Sequence, residues 1–215
     1  MNSGTKAFLT TAILICSTAC GQEPGIFSGP QAGEALSSLE VKDALDATGK
    51  AYDLVAKAEG KPSILIFIHD LLSNKSDEPS LGLSYVLSHY AAQRKDAGLV
   101  YGVVYLTDDV TAMRAFLAKV RRALPKQDVP LVISTDGLEG PGSWGLNRNV
   151  RMTVVISKDN QVTANFALQQ PSVSVDAPKI LAQLIEVIGG DVPSLRELDF
   201  PYYIGRPDDN TKESP

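Results

Sequence analysis

Thiol chemistry is the first possibility to weigh, and the positions of the cysteines decide it. The chain has two, Cys16 and Cys20, both close to the N-terminus, so residues 21–215 hold no thiol. Peroxide reduction and dithiol exchange both need a thiolate. A domain drawn from those residues therefore has no sulfur nucleophile. The histidines are also two, His69 and His89, twenty positions apart and without the ligand spacing of a zinc site, so no metal is expected. His69 and Ser76 have the residue types of a hydrolase dyad, but no nucleophile-elbow glycine pattern surrounds the serine. His69 and Asp70 follow an apolar run, the place where α/β folds collect ligand-binding groups; the alternative is a loop histidine with a backbone or water partner. The segment Asp136-Gly137-Leu138-Glu139-Gly140-Pro141-Gly142 lacks the alternating carboxylates of a calcium loop and the lysine of a phosphate loop. It reads as a glycine-rich connection. Lys119, Arg121 and Arg122 suit the C-terminal end of a helix, where cations complement the dipole.

The first twenty residues read as an export signal. Lys6 supplies a charge, Ala7 to Cys16 form a short apolar run, and Ser17, Thr18 and Ala19 are small. The run is too short to span a bilayer, which takes about 20 apolar residues. The order resembles a bacterial lipoprotein signal, with Ser17 where such signals usually carry leucine. The resemblance implies cleavage after Ala19 and acylation of Cys20. It implies a cell-envelope location, and Gly21 after the cysteine points to the outer membrane, periplasmic side. A plain signal peptide cut near Ala19 is the alternative. Several acyl chains together give stable attachment, so the membrane is the first expected partner. The formal net charge is −5, one unit more negative once Lys6 is removed. An acidic chain without a basic stripe argues against nucleic acid.

The expected organisation is a signal peptide over 1–19, a flexible tether over 20–37, one domain over 38–190 and a C-terminal tail over 191–215. Within the domain, Ser63 to Ile68 is a continuous apolar run, as in a strand buried on both faces. A helix is predicted from about Pro79 to Asp96, ended by Gly98. Val100 to Leu106 is the next strand. Asp108 is the expected cap of the following helix, whose stripe is Val110, Met113, Leu117, Val120 and Leu124. Leu131 to Ile133 is a third core strand. Thr153 to Ser157 and Val162 to Leu168 flank the polar turn Lys158-Asp159-Asn160-Gln161, which predicts a hairpin. A last helix is predicted from Asp176 to Ile188, with extra strands near residues 39–55. Alternation closed by a hairpin and a helix predicts an α/β fold, a mixed sheet with helices on both faces.

Three pieces give this order a family likeness: Leu65 to Ser76, Trp144-Gly145-Leu146, and Arg151 to Val162. Together they resemble the thioredoxin fold in its redoxin or peroxiredoxin-like branch, across roughly residues 39–188. The resemblance implies a β-α-β-α-β-β-α core plus N-terminal strands. It also places an active-site loop after the first core strand, and there this chain departs. The Cys-x-x-Cys positions of thioredoxins hold Leu72 and Lys75. In the peroxiredoxin pattern the proline position holds His69, the threonine position Ser73 and the cysteine position Ser76, while Arg151 stands where the family uses an arginine. The same alignment puts Arg151 at the cis-proline position of thioredoxins, where a trans bond is expected because cis costs a non-proline residue about 2.5–4 kcal/mol.

The resemblance thus implies a vestigial pocket of His69, Ser73, Ser76, Trp144 and Arg151, without cofactor or metal. Such a pocket suits a small anionic ligand; the competing readings make Arg151 a surface residue or the partner of Asp70, and Trp144 a packing residue. The functional expectation is a redox-inactive envelope lipoprotein that binds an envelope protein or small anion, or serves as a scaffold. The alternative is a redoxin-family oxidoreductase or another enzyme working in the former redoxin pocket.

Overall fold

A computed structural model describes residues 26–198 apart from 47, 70–77, 124–128 and 195. Seven strands form one mixed sheet: β1 (Glu40–Asp43), β2 (Ala51–Asp53), β3 (Ser63–His69), β4 (Val100–Leu106), β5 (Leu131–Ser134), β6 (Met152–Lys158) and β7 (Gln161–Leu168). Their spatial order is β2-β1-β5-β4-β3-β6-β7. The central β5, β4 and β3 run parallel, and the hairpins at both edges run antiparallel. β3 lies deep in the sheet with all seven residues buried, as its unbroken apolar run requires. The β6–β7 turn falls on Asp159 and Asn160, with φ of 53° and 59°. Two successive positive φ values match the right-handed strand twist, and Asp and Asn accept them at low cost.

The helices are α1 (Leu54–Ala58), α2 (Glu78–Ala92), α3 (Val110–Ala123) and α4 (Val173–Ile188). Both sheet faces carry helix, unequally. Ile64, Ile66 and Ile68 of β3 share one apolar cluster with Leu83 and Leu87 of α2, Met113 and Leu117 of α3, and Leu181 and Leu184 of α4. The alternate residues Leu65 and Phe67 join a second cluster with Leu54 and Val55 of α1, Leu39, Val41 and Trp144. One strand thus feeds two cores, because side chains alternate across a pleat.

Local differences from the expected elements have identifiable causes. α1 is short and was not expected. Asp53 caps it, accepting from the amides of Val55 and Ala56 at 2.9 and 3.0 Å, and Glu59 ends it in the left-handed region. Asp109, not Asp108, caps the start of α3 by accepting from the Ala112 amide at 2.9 Å. Asp108 instead holds the turn at Gly137–Glu139, accepting from the Leu138 amide at 2.9 Å. Of the expected α3 stripe, Met113 and Leu117 are buried, Val120 is half-buried, Val110 is 39% exposed, and Leu124 lies outside the described residues. α4 begins three residues earlier than expected, and Asp176 reaches back to the Ser172 amide at 2.8 Å. α2 stops at Ala92, and a separate 3-10 turn over Lys95–Ala97 precedes Gly98.

The segment expected as tether also differs where it is described. Residues 28–36 are bonded along β6, β7 and their approaches: Gly29 donates to the Gly145 carbonyl, Gly33 to that of Val162, and Leu36 to that of Asn160. At the other end Leu198, within the expected tail, is buried in the cluster under α2 to α4. Residues 1–25, with Cys16 and Cys20, lie outside the described residues, as does Phe200 to Ile204. Among the described residues no helix is long and apolar enough to cross a membrane.

Candidate functional site

The C-terminal end of β3 brings His69 to the face that carries Phe67 and Trp144. His69 is only 5% exposed. Its amide donates to the Arg151 carbonyl at 3.0 Å, which ties β3 to the start of β6. Its Nε2 lies 3.2 Å from the Thr153 hydroxyl, which in turn is 2.6 Å from the Ser28 hydroxyl. Ser28 Oγ accepts from the Asn147 amide at 3.0 Å. A hydrogen-bonded row thus runs from the Asn147 amide through the Ser28 and Thr153 hydroxyls to His69 Nε2. Burial pushes His69 down to about 4, so the ring is neutral at neutral pH.

The N-terminal segment seals this row. Asn165 Nδ2 donates to the carbonyls of Ser28 and Pro30, at 2.9 and 3.0 Å. Gly29 has a φ of +79°, and a Cβ there would lie 3.2 Å from both Asn165 and Thr153, so a glycine suits the crossing. Thr153 and Ser28 are both fully buried. A hydroxyl within reach of an imidazole has the residue types of nucleophilic catalysis. Here that hydroxyl is fully buried, and the row ties the strand ends to the N-terminal segment.

Thr153→Val keeps the shape and removes the central hydroxyl. It leaves the Ser28 hydroxyl and His69 Nε2 each short of a partner, so a loss of about 1–3 kcal/mol is expected. Equilibrium urea unfolding of the variant measures it. A change within about 0.5 kcal/mol, typical of a surface substitution, would show that the row carries little stability.

The structure distributes the expected pocket unevenly. Ser73, Ser76 and Asp70 lie outside the described residues. Trp144 belongs to the second core cluster, with its ring centroid 5.0 Å from that of Phe67 and its Nε1 donating to the Ser38 carbonyl at 3.1 Å. It is a packing residue, buried because the Gly142–Trp144 turn folds it inward. Arg151 is half-buried, its amide donates to the Leu168 carbonyl at 3.0 Å, and its peptide bond is trans. His69 and Arg151 are therefore brought together through their backbones. Ser28, Thr153, Asn147 and Asn165 are the polar residues that the sequence reading did not single out. Thr153 is a polar residue at the start of an otherwise apolar stretch of β6, which is the local sign of it. Among the described residues no group of three or more metal-ligating side chains is assembled.

Comparison with known proteins comes down to structure. No protein-family model matches the sequence, and no curated protein matches it. Solved structures do match. One is described as a thiol:disulfide interchange protein DsbE from Chlorobium tepidum, with 16% identity, a TM-score of 0.52, and coverage of 77% of this chain and 100% of that one. Another is described as a protein disulfide isomerase from Bacteroides thetaiotaomicron, with 12% identity, a TM-score of 0.52, and coverage of 77% and 96%. The fold is thioredoxin-like. At these identities the likeness extends to the fold alone, and it agrees with the mixed sheet and the strand order described above. Residues 70–77, which follow β3 in the chain, lie outside the described residues, so what they could do is read from the sequence alone.

Proposed function

We propose that the protein is a thioredoxin-fold lipoprotein of the bacterial envelope, held through acylated Cys20, that serves as a binding or scaffold module without thiol redox activity. One observation carries this reading: both cysteines stand at positions 16 and 20, so residues 21–215 contain no thiol to form a sulfenate or a disulfide. The signal-like N-terminus supports the anchor, and Gly21 supports the outer membrane. The surroundings of His69 work against a catalytic role at the end of β3, because it is buried and bonded to a fully buried threonine. The ligand of the module is a small anion or an envelope protein, and Ser73, Ser76 and Arg151 are the residues that would meet it.

The full chain, expressed in a bacterium and extracted from its envelope, provides the test. Insulin-disulfide and hydrogen-peroxide reduction should run at the rate of a boiled control, while the N-terminal peptide carries the mass of an acylated Cys20. Turnover that follows the chain through purification would overturn the redox-inactive reading. An unmodified Cys20 thiol, or a mature start elsewhere, would overturn the anchor.

A further inference from the structure

We propose that the end of the domain where the N-terminal segment meets the start of β6 is a membrane-facing surface, with the side chains of Ile26 and Phe27 seated among the headgroups of a lipid bilayer. The inference rests on the acylation of Cys20 proposed above and adds an orientation to it. It does not depend on the absence of thiol chemistry.

Two consecutive apolar side chains stand in solvent here. Phe27 is 67% exposed, the highest value for a large apolar side chain among the described residues, and Ile26 is 43% exposed. Exposed apolar residues scattered singly are ordinary. This pair differs because the backbone beside it is fixed. Asn147 Nδ2 donates to the Phe27 carbonyl at 3.1 Å, and the Asn147 amide donates to the hydroxyl of the next residue, the fully buried Ser28. That hydroxyl also meets Thr153, and Asn165 Nδ2 holds the Ser28 carbonyl. The domain thus fixes Phe27 in place and leaves its ring uncovered.

The length of chain back to the anchor selects the occupant. Seven positions separate Cys20 from Phe27, a reach of at most about 23–25 Å at 3.3–3.6 Å per residue. The chain is held at Ser28, opposite Thr153 near the start of β6, and not at residue 37 where the tether was expected to end. β6 has seven residues and extends about 20–23 Å. A tether this short, joined at one end of that strand, keeps the same end against the bilayer. Lys158, at the other end of β6, would meet lipid only with the tether drawn out along the whole strand. Ile26 and Phe27 therefore stand at the part of the domain nearest the acyl chains. Aromatic side chains favour the membrane–water interface, and apolar area buried there adds to the hold of a lipid anchor.

The test measures which end of the domain lies near lipid. Once Cys20 is acylated and Cys16 removed with the signal, an introduced cysteine is the only thiol and takes a fluorophore at a chosen site. Asn149→Cys labels an exposed position two residues from Asn147, and Lys158→Cys an exposed position at the far end of β6. Each protein, expressed as the full chain and extracted from the envelope, is placed in vesicles of phosphatidylethanolamine and phosphatidylglycerol with an energy-transfer acceptor on the headgroups. Transfer from position 149 should exceed transfer from position 158 several-fold. Ile26→Ser/Phe27→Ser changes two exposed side chains and keeps the backbone carbonyl that Asn147 holds, so folding should persist. In that background most of the difference between the two positions should be lost. Equal transfer from both positions, or a difference unchanged in the double variant, would overturn the membrane-facing surface. The mass of the N-terminal peptide from the same preparation separates the two ideas. Acylated Cys20 with equal transfer overturns this orientation alone, whereas an unmodified Cys20 overturns the anchor and the orientation with it.

Discussion

Trp144→Ala is expected to lose about 3–5 kcal/mol of folding stability, the range for truncating a large buried aromatic. A domain of this size has a total of only about 5–15 kcal/mol, so the loss is a large fraction of its stability. Three features of the site make the cost high. Trp144 is 2% exposed, and its ring packs tilted against Phe67, a fully buried residue of the central strand. Its indole N–H donates to the Ser38 carbonyl, so truncation also strands a backbone acceptor. The surrounding cluster draws on β1, α1, β3, β4, β5, β6 and β7, and elements already paired in one sheet cannot collapse freely into the space left behind. Urea unfolding followed by far-ultraviolet circular dichroism measures the loss, since the variant removes the chain's one tryptophan. Trp144→Phe should fall between the two. A loss below about 1 kcal/mol for the alanine variant would mean that Trp144 does not hold the second core.

The second large effect is on stability against pH. His69 is held down to about 4 in the folded protein by burial, against about 6.5 when unfolded. Between these values the unfolded chain binds a proton that the native chain refuses. Stability is therefore full above about pH 6.5 and falls as the pH drops toward 4, where the loss is complete. Across that window one group with this shift removes about 3 kcal/mol, at 1.36 kcal/mol per unit. Carboxylates behave differently. Asp53 is held below its usual range; burial opposes this, but the amides of Ala56, Leu39 and Val55 and the Ser38 hydroxyl outweigh it together, so its contribution is lost mainly below about pH 4. Unfolding free energies of the parent and of His69→Gln at pH 7, 6, 5 and 4 separate the two sources. The parent should steepen between 6.5 and 4 and the variant should not. A parent profile as flat as that of the variant in this window would show that the folded protein accommodates a charged His69.

These two predictions describe one wall of the molecule. Trp144 and His69 lie on the same sheet face as the N-terminal segment, which closes over Thr153 through Ser28 and Asn165. That segment is bonded along β6, β7 and their approaches.

The sequence by itself determined the strands, most of the helices and the absence of a thiol from residues 21–215. Strand and helix periodicity is local: the unbroken run Ser63 to Ile68, the stripe containing Met113 and Leu117, and the turn at Asp159 and Asn160 each carry their own structural preference. α1 escaped because five residues are too few to show a period, although the cap Asp53 and the stop at Glu59-Gly60 bracket it. Which of two adjacent aspartates caps α3 was also out of reach, because the competing partner of Asp108 is the Leu138 amide, 30 residues away. The tertiary structure alone decided the polar contacts that hold the N-terminal segment and Trp144. Ser28 meets Thr153 across 125 positions, and Trp144 meets Ser38 across 106. None of these residues announces its partner by type or spacing. Each contact exists because strand pairing and the burial of two apolar faces bring remote segments together, and only then do hydrogen-bonding groups find one another.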